Sequence, residues 1–188
     1  MDNKQKFFSP LVLARVGLAT AFIAVCSWIS IPIGSVPITL QTFAVMLTVG
    51  VFGLSQGLLA VALYICIGAI GIPVFASFNS GVAYIMGPTG GFIIGFIFTA
   101  LIVGLFIKRY RDNKWALFFA MLLGIAACYF FGTIWFLAYF KLQGNEKSLL
   151  AALTACVFPF IIPDVIKAVL AVFLTFRLRP LLAKIRRK

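Results

Sequence analysis

Between Arg15 and Lys108 the chain contains no Asp, Glu, Lys, Arg or His, an unbroken run of 92 residues. A soluble domain has to cover its surface with polar and charged groups, and a run of this length leaves it no means of doing so. In hydrocarbon the constraint reverses, because each charge placed centrally costs roughly 3 kcal/mol or more. The whole chain is 63% hydrophobic and 11% charged over 188 residues. It therefore reads as an integral membrane protein, with residues 1–188 forming a single membrane-embedded domain.

The formal net charge is +12, which in a soluble protein would suggest nucleic acid. Here the basic residues stand in short blocks at the ends of apolar runs, not along a polar face interleaved with exposed aromatics. Blocks at span ends set orientation in a membrane and meet anionic lipid, so membrane lipid is the expected partner and nucleic acid is not. The chain has no histidine, which excludes His-based metal sites and His-dependent triads. The four cysteines, Cys26, Cys66, Cys128 and Cys156, lie inside apolar runs without short paired spacing and read as packing residues. Neither a metal nor a cofactor is expected.

Pro and Gly divide the uncharged run. A first span covers about 11–31; Lys4 and Lys6 before it faintly resemble a signal peptide, but the run is too long and lacks a following polar cleavage region. Residues 32–39 (PIGSVPIT) form a Pro/Gly loop, and a second span of about 40–52 follows. At roughly 20 Å of helix this span is short for a core of ~30 Å, so it needs extension by its flanks, locally thinned bilayer or partial re-entry. A third span covers about 57–72, an uncharged Pro/Gly-rich segment 73–90, a fourth span about 91–107, and a fifth about 115–140. The last apolar run, 148–176, is interrupted by Pro159 and Pro163.

The basic residues orient these spans. With six transmembrane helices and both termini cytoplasmic, the inner face receives Lys4, Lys6 and Arg15, then Lys108, Arg109, Arg111 and Lys114, then the six from Arg177 onward: 13 of the 16 Lys and Arg. Loops 32–39 and 73–90 and the connection near Gly144 then face outward, which points to a site that opens outward.

Asp164 and Lys167 are the ionisable pair inside an apolar run. Three residues apart on a helix, they share one face. Counting back from Arg177 places them roughly 20 and 15 Å above the inner boundary. Pro163 suits a first helical position, which would put Asp164 in the first turn, where the helix dipole favours an anion. An ion pair kept only to orient a helix is costlier than apolar side chains, so the pair marks a polar ligand site. Asn79 and Tyr84 are the groups of the outer segment able to make directed hydrogen bonds, and Trp28, Phe75 and Phe78 are candidate walls. GPTGG (87–91) lacks the Lys-Ser/Thr of a phosphate loop and reads as a tight turn. Gly17 and Ala21 form a small-xxx-small strip with Ala14 near the same face, serving either internal packing or the docking of a partner.

The runs ISIPIGSVPITLQTF (29–43), YICIGAIGIPVF (64–75), GPTGG followed by Phe92, and PFIIPDVIK (159–167) resemble the biotin-specific S components, the BioY family, of energy-coupling factor (ECF) transporters. The likeness spans most of the chain, in order. It implies six transmembrane helices with both termini cytoplasmic in a prokaryotic plasma membrane, and high-affinity capture of biotin without catalysis. It also implies partners: a transmembrane coupling subunit and two cytoplasmic ATPases. In that group a first-span AxxxA strip meets the coupling subunit, and Gly17 and Ala21 occupy the matching positions here, with Gly replacing one Ala. Biotin offers two ureido N–H donors, a ureido carbonyl, an apolar body and a carboxylate. On this reading Asp164 accepts from the ureido N–H groups. Lys167 and Asn79 donate to the ureido oxygen or to the carboxylate, and loop 32–39, with Pro32, Gly34, Ser35 and Pro37, is the lid. Two other classes compete: a self-sufficient transporter of another solute, and an intramembrane enzyme using Asp164 and Lys167, which would lack a nucleophile.

Overall fold

The computed structural model describes residues 9–185; Lys4, Lys6, Arg186, Arg187 and Lys188, counted above for orientation, lie outside that range. Helix α1 (Pro10–Trp28) opens with Ser9 as N-cap and Pro10 at its first position, where a missing N–H costs nothing. It ends at a small hairpin, β1 (Ser30–Ile31) against β2 (Ile38–Thr39), antiparallel with Ser30 opposite Thr39. The segment expected as a plain loop is thus the tip of a hairpin, and Gly34 supplies the positive φ of 82° that its turn requires.

Helix α2 (Gln41–Ala69) is not straight. Gly53 adopts φ 81°, ψ −178° and divides it into arms 41–52 and 54–69. A Cβ on Gly57 would fall 2.8 Å from Val49 Cα, and the Gln41 amide reaches the Tyr64 hydroxyl. In a continuous helix those last two residues would lie roughly 35 Å apart. The chain therefore doubles back at Gly53, and the arms pack backbone to backbone because Gly57 has no side chain.

A 3-10 turn (Ala76–Phe78) and a one-turn helix α3 (Val82–Ile85) lead into α4 (Gly90–Arg109). Asn113 caps α5 (Lys114–Leu142), its carboxamide oxygen accepting from Ala116 N at 3.0 Å. Glycines hold α4 and α5 close: Gly95 lies against Cys128 and Gly124 against Thr99, whose hydroxyl donates across to Gly124 O at 2.8 Å. Helix α6 (Leu149–Cys156) breaks at Val157 and α7 (Phe158–Ile185) follows. This corrects the expectation for Pro163. It is interior to α7, Pro159 takes the second helical position, and Asp164 lies beyond the first turn, so the dipole argument does not hold.

The core between the helices is apolar, with Met46, Val49, Val61, Phe75, Val103 and Met121 fully buried. Large apolar side chains such as Leu18, Phe119, Phe130, Ile162 and Phe173 point outward, as a hydrocarbon solvent requires. Among the described residues five helical stretches are long and apolar enough to cross a membrane, one of them the doubled α2. The chain is an all-α membrane protein apart from its two-residue strands. Cys26, Cys128 and Cys156 are buried and Cys66 is exposed, all as free thiols.

Candidate functional site

Asp164 and Lys167 project from α7 into the bundle and are 2% and 6% exposed. Lys167 Nζ donates to Asp164 Oδ1 at 2.8 Å. Its two remaining protons meet Thr39 O at the end of β2 (2.6 Å) and Thr42 Oγ1 in the first turn of α2 (3.3 Å). Thr42 donates its own hydroxyl to Asp164 Oδ1 at 2.9 Å, and Tyr129 of α5 donates to Oδ2 at 2.6 Å. A buried ion pair survives only when its spare donors and acceptors are satisfied, and here all three ammonium protons are. The residues come from the hairpin, α2, α5 and α7, so the site exists only when four separate elements meet.

Beside the pair lies a cavity of about 50 Å³, lined by Phe92, Phe96 and Phe160 and, from the hairpin, by Val36 and Pro37. On this scale it holds a few water molecules, and a bicyclic ligand would have to displace part of the lining. Tyr84 and Thr89 line it too, and with Pro37 they separate it from a wider recess of about 400 Å³. That second recess lies between Pro32, Gly34 and Ser35 on one side and Ser77 and Asn79 on the other. Burial pushes the Tyr84 phenol above its ordinary range, partly offset by a hydrogen bond with Thr89, so it stays a neutral hydroxyl.

The predicted residues divide accordingly. Asp164, Lys167 and Tyr84 line the inner cavity. Asn79 lines only the outer recess and spends its amide on Ala76 O at 2.8 Å. The aromatics expected as walls do other work. Trp28 donates to Pro73 O at 2.9 Å and stacks on Phe78 at 5.0 Å, clamping the 73–90 segment to the end of α1. Phe75 is buried between Tyr64 and Tyr84, in space left by Gly68. Ser30 and Ser77 join the two loops through their hydroxyls at 3.0 Å.

Sequence reasoning missed Thr39, Thr42 and Tyr129 as partners and Phe92, Phe96 and Phe160 as walls. Thr42 lies 122 residues from Asp164, and nothing in its neighbourhood announces the pairing. Gly17 and Ala21 are exposed on α1, and a Cβ on Gly17 would meet nothing within 4 Å. The small-residue strip faces away from the bundle.

Comparison with known proteins decides the family, since a model described as "BioY family" matches residues 2–184. The chain belongs to the BioY family. It is 40% identical over 169 residues to "Biotin transporter BioY" of Thermotoga maritima, covering 90% of this chain and 96% of that one. It is 34% identical over 187 residues to "Biotin transporter BioY" of Lactococcus lactis subsp. cremoris, covering 95% and 94%. Among solved structures it superposes on the S-component for biotin from an ECF-type ABC transporter with TM-score 0.82 and 34% identity, over 96% of this chain and 95% of that chain. These BioY relatives are transport proteins, not enzymes.

Proposed function

We propose that this chain is the high-affinity biotin-binding subunit that confers substrate specificity on an ATP-driven ECF-type importer. The observation that supports this most directly is the buried, fully partnered Asp164–Lys167 pair at the floor of an apolar cavity, in a chain alike over nearly its whole length to the biotin S component. An ionised carboxylate is acceptor-only, with about four lone-pair sites, and three protein donors occupy three of them. Asp164 is the acceptor for a ureido N–H. Lys167 exchanges one of its protein acceptors for an oxygen of the ligand, and Phe92, Phe96 and Phe160 take the apolar body. Asn79 waits in the outer recess, where the ligand enters and where its other end would lie.

The orientation reading is six crossings, counting both arms of α2 and α6 with α7 as one, with both termini in the cytoplasm of a prokaryotic cell and the chain in its plasma membrane. It is supported by the basic end of the bundle, where Arg179 Nη1 donates to Arg111 O at 2.8 Å and holds α7 beside the α4–α5 connector. The hairpin with Pro32, Gly34, Ser35 and Pro37 is the lid of the outward-facing site. Gly17 and Ala21, exposed on α1, are the docking strip for a transmembrane coupling subunit, and two cytoplasmic ATPases supply the energy.

Titration of the purified chain with biotin tests the binding role, and saturable heat at equimolar ligand is expected. Gly17→Trp and Ala21→Trp test the docking role. Both are expected to retain biotin affinity while ATP-dependent uptake in vesicles with the partner subunits falls. Loss of binding in these variants would move the strip into the bundle's own packing, and full uptake would place docking elsewhere.

A further inference from the structure

The end of the bundle opposite the cavity carries a second recess, of about 420 Å³. It lies where α2 turns at Gly53 and faces the ends of α4 and α7. Lys108, Arg111 and Arg179 line it, together with the apolar Val51, Phe52 and Ile107. No acidic side chain lines it: Asp112 on the connector is outside the recess and makes no salt bridge among the described residues.

Arg179 is the informative member. Its Nε donates to Gly50 O at 2.7 Å and its Nη1 to Arg111 O at 2.8 Å, which fixes the plane of the guanidinium. Nη2 is buried and has no hydrogen-bond partner among the described residues. A guanidinium held rigidly by two of its nitrogens keeps its positive charge fixed at the wall of the recess. The exposed Tyr110 and Trp115 flank the same connector, the aromatic signature of headgroup depth. A site at that depth with cations beside apolar side chains matches one class of molecule, a phosphate joined to acyl chains.

We propose that this recess seats the phosphate of an anionic phospholipid, with the Arg179 guanidinium as its fixed anchor and Lys108 and Arg111 as its rim. The proposal rests on the orientation given above only in assigning the lipid to the inner leaflet. Basic pockets between transmembrane helices on the cytoplasmic side hold lipid headgroups by the same chemistry. The bound lipid ties the Gly53 turn to α4 and α7.

The test is native mass spectrometry of the full chain in detergent, offered equal amounts of dioleoyl phosphatidylglycerol and dioleoyl phosphatidylcholine. Retention of the anionic lipid over the zwitterionic one is expected. Lys108→Gln and Arg111→Gln are each expected to lower that preference about fivefold, the worth of one cation near a headgroup. Arg179→Gln is expected to abolish it. Because Arg179 also holds α7 to its neighbours, the Lys108→Gln/Arg111→Gln double variant carries the test if Arg179→Gln does not fold. Retained biotin binding serves as the control for folding, and it separates failure here from failure of the biotin assignment. Equal retention of both lipids, or an intact preference in the double variant, would overturn the proposal. So would displacement of the lipid by inorganic phosphate at equal concentration, which would mark a free-anion site. Loss of a coupling subunit with lipid preference unchanged would make the recess a protein-docking surface and equally end the lipid reading.

Discussion

The two ends of this bundle handle polarity in opposite ways. At the cavity end the ion pair Asp164–Lys167 is buried, neutral as a unit and partnered by Thr39, Thr42 and Tyr129. At the opposite end Lys108, Arg111 and Arg179 line an open recess with no acidic side chain in its lining, and one guanidinium nitrogen has no partner among the described residues. The arrangement at the cavity end is directional, each proton having an assigned oxygen, and under the proposed function a ligand has to reproduce that pattern. The arrangement at the basic end is a field with a fixed fork at its wall, which the lipid proposal fills with a phosphate. On the two proposals above, selectivity belongs to the first end and placement in the membrane to the second.

Substitutions that strike one end and leave the other intact put this division at risk. The largest effect is expected from Asp164→Asn, which keeps the shape but removes the charged acceptor. Hydrogen bonds to charged groups are worth about 1.5–3 kcal/mol, so biotin affinity by calorimetry should fall about tenfold to a hundredfold. Unchanged affinity in both Asp164→Asn and Lys167→Ala would remove the pair from the site. Next comes Gly57→Ala beside the inner turn. Its Cβ would press on Val49 backbone 2.8 Å away, which cannot rotate aside, so overpacking of about 1–3 kcal/mol is expected. Thermal unfolding in detergent should show the drop, and a variant as stable as the parent would mean the two arms separate easily.

Tyr129→Phe takes one of three donors from Asp164 and should weaken biotin about fivefold, less than Asp164→Asn because the charged acceptor and its bonds from Thr42 and Lys167 remain. An effect equal to that of Asp164→Asn would make Tyr129 a direct ligand contact instead. Spin labels sharpen the contrast further. A label at Ser35 on the hairpin tip should slow on adding biotin, whereas one at Ser55 beside the inner turn should not change. Equal response at both positions would turn a local lid into a motion of the whole bundle. The smallest effect is expected from Lys108→Gln, which should leave biotin affinity within about twofold, because an exposed charge is screened over roughly 10 Å at ordinary ionic strength. A larger loss would couple the two ends.

Much of this was legible in the chain, and the reasons are local. The absence of charge from Val16 to Ile107 dictates a membrane environment whatever the packing, because the cost of a charge in hydrocarbon does not depend on topology. The three-residue spacing of Asp164 and Lys167 puts them on one face of any helix that contains them. Glycine at 53 and the Pro/Gly segments mark turns because few other residues accept those backbone angles. The likeness to the BioY family was legible for the same reason: its runs are contiguous.

Tertiary structure decided what depended on distance along the chain. Thr42 and Asp164, 122 residues apart, meet because α2 doubles back and lies against α7, and no local pattern encodes that meeting. Pro163 became an interior residue of α7 because the helix begins earlier, at the break after Cys156. Whether Gly17 and Ala21 faced inward or outward depended on how α1 rotates against α2. Val16, Ala19 and Ile23 are buried and the small strip is left outside. Composition and periodicity act within a turn or two of helix and so determined the class, the breaks and the ion pair. Which side chains complete that pair, and which faces stay free, is a property of packing between helices.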